Sequence, residues 1–199
     1  MLSISKGNVK MGSIPSISLP VGKTCRPDAP CYKKCYARRM EYRFKNIRNA
    51  YQNNLDLWNE NPYEFEMQAV LGAFMSSVFR WHVSGDIPDM EYLRMMCRVA
   101  LKCKNTKFFA FTKKYELVNA YLKEGNKIPR NLKIIFSAWE GLNIENPFHF
   151  PEAHVMKKDG TTTAPKIKNV CTGKCAECAL HGRGCWTMKK GEYVIFKEH

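Results

Sequence analysis

The chain has 199 residues, enough for one domain and hardly two. Hydrophobic residues make up 45 % of it and aromatic residues 12 %, which excludes disorder as its dominant state. The formal net charge is +14, and no run approaches twenty consecutive apolar residues, which excludes a transmembrane helix.

Residues 1–24 read as loops with short extended pieces, because Pro15, Pro20 and two glycines break any helix. Residues 36–59 read as one long helix. Met40, Phe44, Ile47, Tyr51, Leu55 and Trp58 recur every three or four positions and form one apolar stripe. Arg38, Arg39, Arg43, Lys45 and Arg48 surround the rest of that cylinder as a solvated flank. Asn61-Pro62 ends the helix. Residues 63–77 read as a second helix with Met67, Val70, Leu71 and Phe74 inward.

An alternating pattern follows. Val78–Val83 is a strand, Ser84-Gly85-Asp86 a loop, and Pro88 opens a helix through about Cys103. Lys107–Phe111 is a strand, Thr112-Lys113-Lys114 a loop, and Leu117, Val118, Tyr121 and Leu122 mark a helix. Leu132–Trp139 is a third strand. Such βα units imply a parallel sheet, with function at the C-terminal edge where the loops after the strands gather. The turn at Asp159-Gly160 predicts a hairpin between 153–156 and 166–170. Tyr193–Phe196 is a last strand. The expected architecture is a single α/β domain over 1–199. A partial (β/α) barrel-like parallel sheet occupies 1–165, and a cysteine-rich tail occupies 166–199.

Nine cysteines, an odd count without the apolar run of a secretory signal, argue against a disulfide scaffold. Clustered cysteines in a reducing cytoplasm bind metal, and the expected location is cytoplasmic, with no membrane partner. The tail reads Cys171-x3-Cys175-x2-Cys178-x6-Cys185. Four thiolates this close suit a [4Fe–4S] cluster better than zinc, whose ribbons pair two knuckles across a longer loop. Zinc stays open as the alternative. Near the N-terminus, Cys25-x5-Cys31-x3-Cys35 can hold a second [4Fe–4S] cluster with one iron open to a substrate or to S-adenosylmethionine. A fourth ligand from Cys97 or Cys103, or a structural zinc, are the other readings of that group. Cys97 and Cys103 themselves read as buried inert thiols.

The loop after the first strand of the repeat offers Gly85 for close backbone approach and Asp86 as an acceptor for an amine or a ribose hydroxyl. Lys113 and Lys114 can meet a carboxylate or phosphate, or remain solvated. Arg80 and His82 alternate with Trp81, and inward-pointing charges in a short barrel line a site. The net charge fits nucleic acid as a partner, or solubility alone.

Three segments carry a resemblance: Thr24-Cys25 through Cys31-Tyr32-Lys33-Lys34-Cys35-Tyr36-Ala37, then Arg80–Asp86, then Phe111-Thr112-Lys113-Lys114. With the tail ending Gly184-Cys185-Trp186, the chain resembles the phage gene-product-88 family over roughly residues 24–186. The same order is similar to a reduced radical S-adenosylmethionine enzyme. There a cysteine triplet follows the first strand, and a Gly-Gly-Glu-Pro-like loop holding the methionyl amine follows the second. Ser84-Gly85-Asp86-Ile87-Pro88 stands in that place here. The triplet spacing departs from the usual Cys-x3-Cys-x2-Cys. The resemblance implies a reactive cluster on Cys25, Cys31 and Cys35, and an auxiliary one on the tail. It implies cofactor contacts from Tyr36, His82, Ser84 and Asp86, and catalytic roles for Ser84, Gly85, Asp86 and Lys113. It also implies a small-molecule substrate, and a host bacterium's cytoplasm as the setting. The competing expectations are a cluster protein that binds nucleic acid without turnover and a zinc-stapled protein that binds a host partner.

Overall fold

Runs with a bulky residue at nearly every position form strands buried on both faces. In the computed structural model, which describes residues 1–198, three such runs lie side by side: β3 (Val78–Trp81), β4 (Lys107–Thr112) and β5 (Leu132–Ser137). Two short strands, β1 (Ile4–Ser5) and β2 (Ser16–Ile17), extend the sheet on one side. β6 (Glu152–Met156) and β7 (Tyr193–Lys197) extend it on the other. The spatial order equals the chain order. β1 runs antiparallel to β2, and every other neighbour is parallel. This is a mixed α/β fold with a mostly parallel sheet. No pairing joins β7 back to β1 among the described residues, so the sheet keeps two edges.

Alternation along the strands divides the side chains between two faces. Phe79, Trp81, Phe108, Ala110, Ile134 and Phe136 pack with the helices in the main core. These helices are α2 (Lys45–Glu60), α3 (Pro62–Phe74), α4 (Met90–Lys102) and α5 (Tyr115–Lys123). Val78 and Phe109 face the other way, against Met11, Ile14 and Trp186.

The expected long helix is two helices. α1 (Tyr36–Arg43) and α2 are separated at Phe44, whose backbone is extended (φ −120, ψ 104). The break divides the apolar stripe: Leu55 and Trp58 reach the core, while Met40 and Phe44 are exposed. α3 also turns a different face inward. Phe65, Glu66, Ala69 and Ala73 are buried, while Leu71 is 71 % and Phe74 63 % exposed. Phe65, Ala69 and Ala73 anchor the buried face in the main core, and Glu66 is held beside them by ion pairs. It accepts from Arg98 Nε at 2.8 Å and Lys102 Nζ at 2.7 Å on α4. Pro88 precedes its helix instead of entering it, and Asp89 caps α4 by accepting the Tyr92 N–H at 2.8 Å. The predicted hairpin is absent. The Asp159-Gly160 turn returns the chain for only one antiparallel bridge, Met156 with Thr162. β6 instead pairs over five residues with β7 in parallel, which satisfies far more backbone.

Asn54 fastens the N-terminal strands to α2. It is fully buried, donates through Nδ2 to the carbonyls of Ser3 (2.9 Å) and Ser18 (3.0 Å), and accepts the Ser3 N–H at 2.7 Å. Asn54→Ala leaves these backbone groups unpaired. The expected loss is about 2–4 kcal/mol of unfolding free energy in urea denaturation. No helix is long and apolar enough to cross a membrane among the described residues.

Candidate functional site

The loops that follow β2, β3 and β4 meet at the C-terminal edge of the sheet, and Asp86 ties them together. Its Oδ1 accepts the Ile87 N–H at 2.8 Å, and its Oδ2 accepts the Lys113 N–H at 2.9 Å. The Asp86 N–H donates to Thr24 Oγ1 at 3.1 Å, and the Leu19 N–H donates to the Ser84 carbonyl at 3.0 Å. Burial pushes the Asp86 carboxyl above the ordinary carboxylate value, and its hydrogen-bond donors oppose this. Gly85 has φ +78, and a Cβ there would lie 2.7 Å from both the Leu19 carbonyl oxygen and Thr24 Oγ1. Its small size is therefore needed for loop packing.

A second brace joins α1 to these loops. Buried Glu41 accepts from Ser84 Oγ at 2.7 Å and from the Val21 N–H at 3.0 Å. Tyr36 Oη donates to the Val83 carbonyl at 2.7 Å, which fixes the start of α1 beside the loop after β3. Arg26 Nη1 donates to the Lys113 carbonyl at 3.1 Å and pairs with Glu116. Lys113 Nζ donates to Ser137 Oγ at 3.0 Å and lies 5.6 Å above the Trp139 ring.

These loops enclose a cleft of about 900 Å3. Cys25, Cys31 and Cys35 line it, together with Tyr36, His82, Ser84, Gly85, Asp86 and Lys113. These nine residues lie on the lining of the one cleft. Met40, Ile47 and Tyr51 of the broken stripe form an apolar wall of the same cleft. Burial pushes the Cys25 thiol up to about 11.

The tail makes a second, smaller cavity. Cys171, Cys175, Cys178 and Cys185 all line a space of about 30 Å3 against the sheet face opposite the main core. The Cys171 N–H donates to the Ile195 carbonyl at 2.8 Å, and the Cys175 N–H to the Lys10 carbonyl at 2.9 Å. Trp186, 4 % exposed, packs on Phe109 with centroids 5.5 Å apart. Burial pushes the Cys185 thiol up to about 12. A bound metal reverses such a shift, because it stabilises the thiolate directly. No three His, Cys, Asp or Glu side chains among the described residues converge on one ion-sized point. A single zinc needs its sulfurs about 2.3 Å from one centre. The soft donor set fits zinc or iron–sulfur, and the ring around a cavity fits the larger group.

Cys97 and Cys103 belong to the helix-side core, where Cys103 Sγ lies 3.7 Å from the Val70 carbonyl oxygen, and neither lines the cleft. Lys114 turns away to donate to the Pro88 carbonyl at 2.8 Å. Glu41, Ser16 and Ser18 carry no motif in the sequence. The alternation Ser16-Ile17-Ser18-Leu19 was the available signal for β2.

His82 is buried with φ +57, and its Nε2 lies 3.2 Å from Tyr92 Oη. Burial first, then Arg80 and Lys114, push its pKa down from 6.5 to about 3. The neutral form is favoured by the folded state, so this contribution to stability is present above about pH 6.5. It is lost as pH falls toward about 3. His82→Gln is expected to flatten the stability profile between those values in urea titrations at stepped pH.

No curated protein and no solved structure matches the chain. The family model described as gene product 88 matches residues 3–166. That span holds the N-terminal cysteines, the braced loops and the sheet through β6, and stops before the tail cysteines. On that match the chain belongs to the gene product 88 family.

Proposed function

We propose that this protein is a small iron–sulfur enzyme of phage origin that acts with S-adenosylmethionine in the host cytoplasm. The observation that carries this reading is one cleft at the C-terminal sheet edge, lined by Cys25, Cys31, Cys35, Tyr36, the Ser84-Gly85-Asp86 loop and Lys113. The family match names no activity, so the reading stands on these residues. A [4Fe–4S] cluster held by three thiolates leaves one iron open and supplies one-electron chemistry. Cys25, Cys31 and Cys35 would hold it. Asp86 keeps the loop rigid through both carboxylate oxygens, and its remaining lone pairs can accept from an amine. The Lys113 ammonium can meet a carboxylate. Met40, Ile47 and Tyr51 would give a bound molecule an apolar surface to pack on. Cys171, Cys175, Cys178 and Cys185 would hold a second, fully ligated cluster.

The test is iron and sulfide content with EPR on anaerobically purified protein, before and after dithionite and with S-adenosylmethionine. About eight irons per chain, a signal altered by S-adenosylmethionine and release of 5′-deoxyadenosine are expected. Stoichiometric zinc without iron, or no 5′-deoxyadenosine from the reduced protein, overturns the reading.

One observation favours a second reading, nucleic-acid binding without turnover. Arg38, Arg39, Arg43 and Arg48 are exposed and join no ion pair among the described residues. Arg38 stacks over Tyr32 at 4.6 Å and Arg43 over Phe44 at 5.4 Å. Binding to single-stranded RNA or DNA that weakens steeply with salt would establish it.

A further inference from the structure

The two cavities share a wall made by Lys10, Arg80, Phe111 and Phe196. Arg80 sits on β3, opposite Ser16 on β2 and Phe109 on β4. Its guanidinium lies 5.2 Å from the Phe111 ring centroid and 5.7 Å from that of Phe109. Nη1 is 3.5 Å from Met11 Sδ, and Nε is buried without a hydrogen-bond partner. No carboxylate pairs with Arg80 among the described residues, and none pairs with Lys10, whose Nζ lies 4.7 Å over the Phe196 ring. The third cation at the tail cavity, Lys174, is already paired with Glu177 at 2.8 Å. A largely enclosed cation without a counter-ion is costly, and aromatic faces offset only part of that cost.

We propose that Arg80, assisted by Lys10, is the counter-ion of an anionic metal–thiolate group held by Cys171, Cys175, Cys178 and Cys185. The charges close. Four thiolates around a [4Fe–4S] cluster of core charge two carry two net negative charges. Arg80 and Lys10 supply two positive ones. Arg80 is a positioning residue: it touches no metal, and it holds the anionic group against the sheet. It is also the wall between that group and the cleft, so a change there reaches both. The inference rests on the tail half of the proposed function alone and requires neither S-adenosylmethionine nor the N-terminal triplet.

The test uses the full chain with Cys25, Cys31 and Cys35 all replaced by Ala, so that only the tail cage can respond. Metal-free protein is reconstituted with iron and sulfide under argon, and cluster uptake is read from bound iron and the sulfur-to-iron charge-transfer band. Strong binding is expected with Arg80 present. Arg80→Gln is expected to weaken it about 10–100-fold, the usual penalty for losing a group that supports metal ligands. Arg80→Lys, which keeps the charge, is expected to restore most of it, and Lys10→Gln to have a smaller effect in the same direction. Circular dichroism and thermal unfolding of the metal-free variants separate this from misfolding. No cluster uptake in the parent, or equal uptake in folded Arg80→Gln, overturns the proposal. Equal losses for Arg80→Gln and Arg80→Lys overturn its charge argument. Absence of S-adenosylmethionine cleavage in the unmodified protein with cluster uptake by the tail intact would sink the enzyme reading and leave this one standing.

Discussion

Cys35→Ala is expected to remove about four of the eight irons and to abolish S-adenosylmethionine cleavage, a loss of at least three orders of magnitude. Three thiolates are the fewest that leave a single iron open, so no remaining pair can hold the reactive group. The fold should survive. Cys35 caps α1 through its backbone, with its carbonyl accepting the Arg39 N–H at 3.3 Å, and its side chain makes no capping hydrogen bond. The stability change should stay within about 1 kcal/mol. Cys185→Ala gives the opposite split: the tail group is lost and the EPR response to S-adenosylmethionine remains. Iron analysis, EPR and chromatography of 5′-deoxyadenosine on both variants distinguish the two sites. Full iron and turnover in Cys35→Ala would refute the assignment.

The largest stability effect should come from Asp86. Asp86→Ala strips acceptors from the Ile87 and Lys113 N–H groups and loosens three loops at once. Each unpaired buried donor costs about 1–3 kcal/mol, so a loss of about 3–5 kcal/mol is expected. Asp86→Asn keeps the oxygen that faces Ile87 and turns an amide toward the Lys113 N–H, so it should lose about 1–2 kcal/mol. The pH dependence has a defined sign. Because burial raises the folded pKa, the contribution of Asp86 is present below about pH 4 and is lost as pH rises through its folded value. This opposes His82, whose contribution is lost on acidification. Asp86→Asn should remove the first trend and retain the second. Urea denaturation at pH values from about 3 to 8 measures both, and equal stability of Asp86→Ala and the parent would exclude the bracing role.

Much of this organisation is written locally. Val78–Trp81, Lys107–Thr112 and Leu132–Ser137 announce strands through bulky residues at every position, and the helices between them through three- and four-residue periodicity. Alternation on β3 correctly separates Arg80 from the core-facing Trp81. Cysteine spacing alone divides seven thiols into two groups, and each group lines its own cavity. Local pattern, however, does not say what an apolar face meets. Tyr51 and Trp58 belong to one stripe on α2, yet one lines the cleft and the other the core, because they lie two turns, about 10 Å, apart along the helix. On α3, Phe65, Ala69 and Ala73 take the core face, Glu66 is buried beside them in ion pairs to α4, and Leu71 is left outside.

The sequence by itself determined the βα rhythm, the two cysteine groups and the loops that would flank a site, since each depends on residues close together in the chain. Tertiary structure alone decided that two-residue β2 joins the sheet, that β6 pairs with β7 forty-one positions onward, and that Glu41 braces Ser84. It alone set Arg80 between the two cavities. These depend on backbone pairing and single side-chain contacts between distant segments, where one hydrogen bond or one unpaired charge selects the partner and no periodic pattern records it.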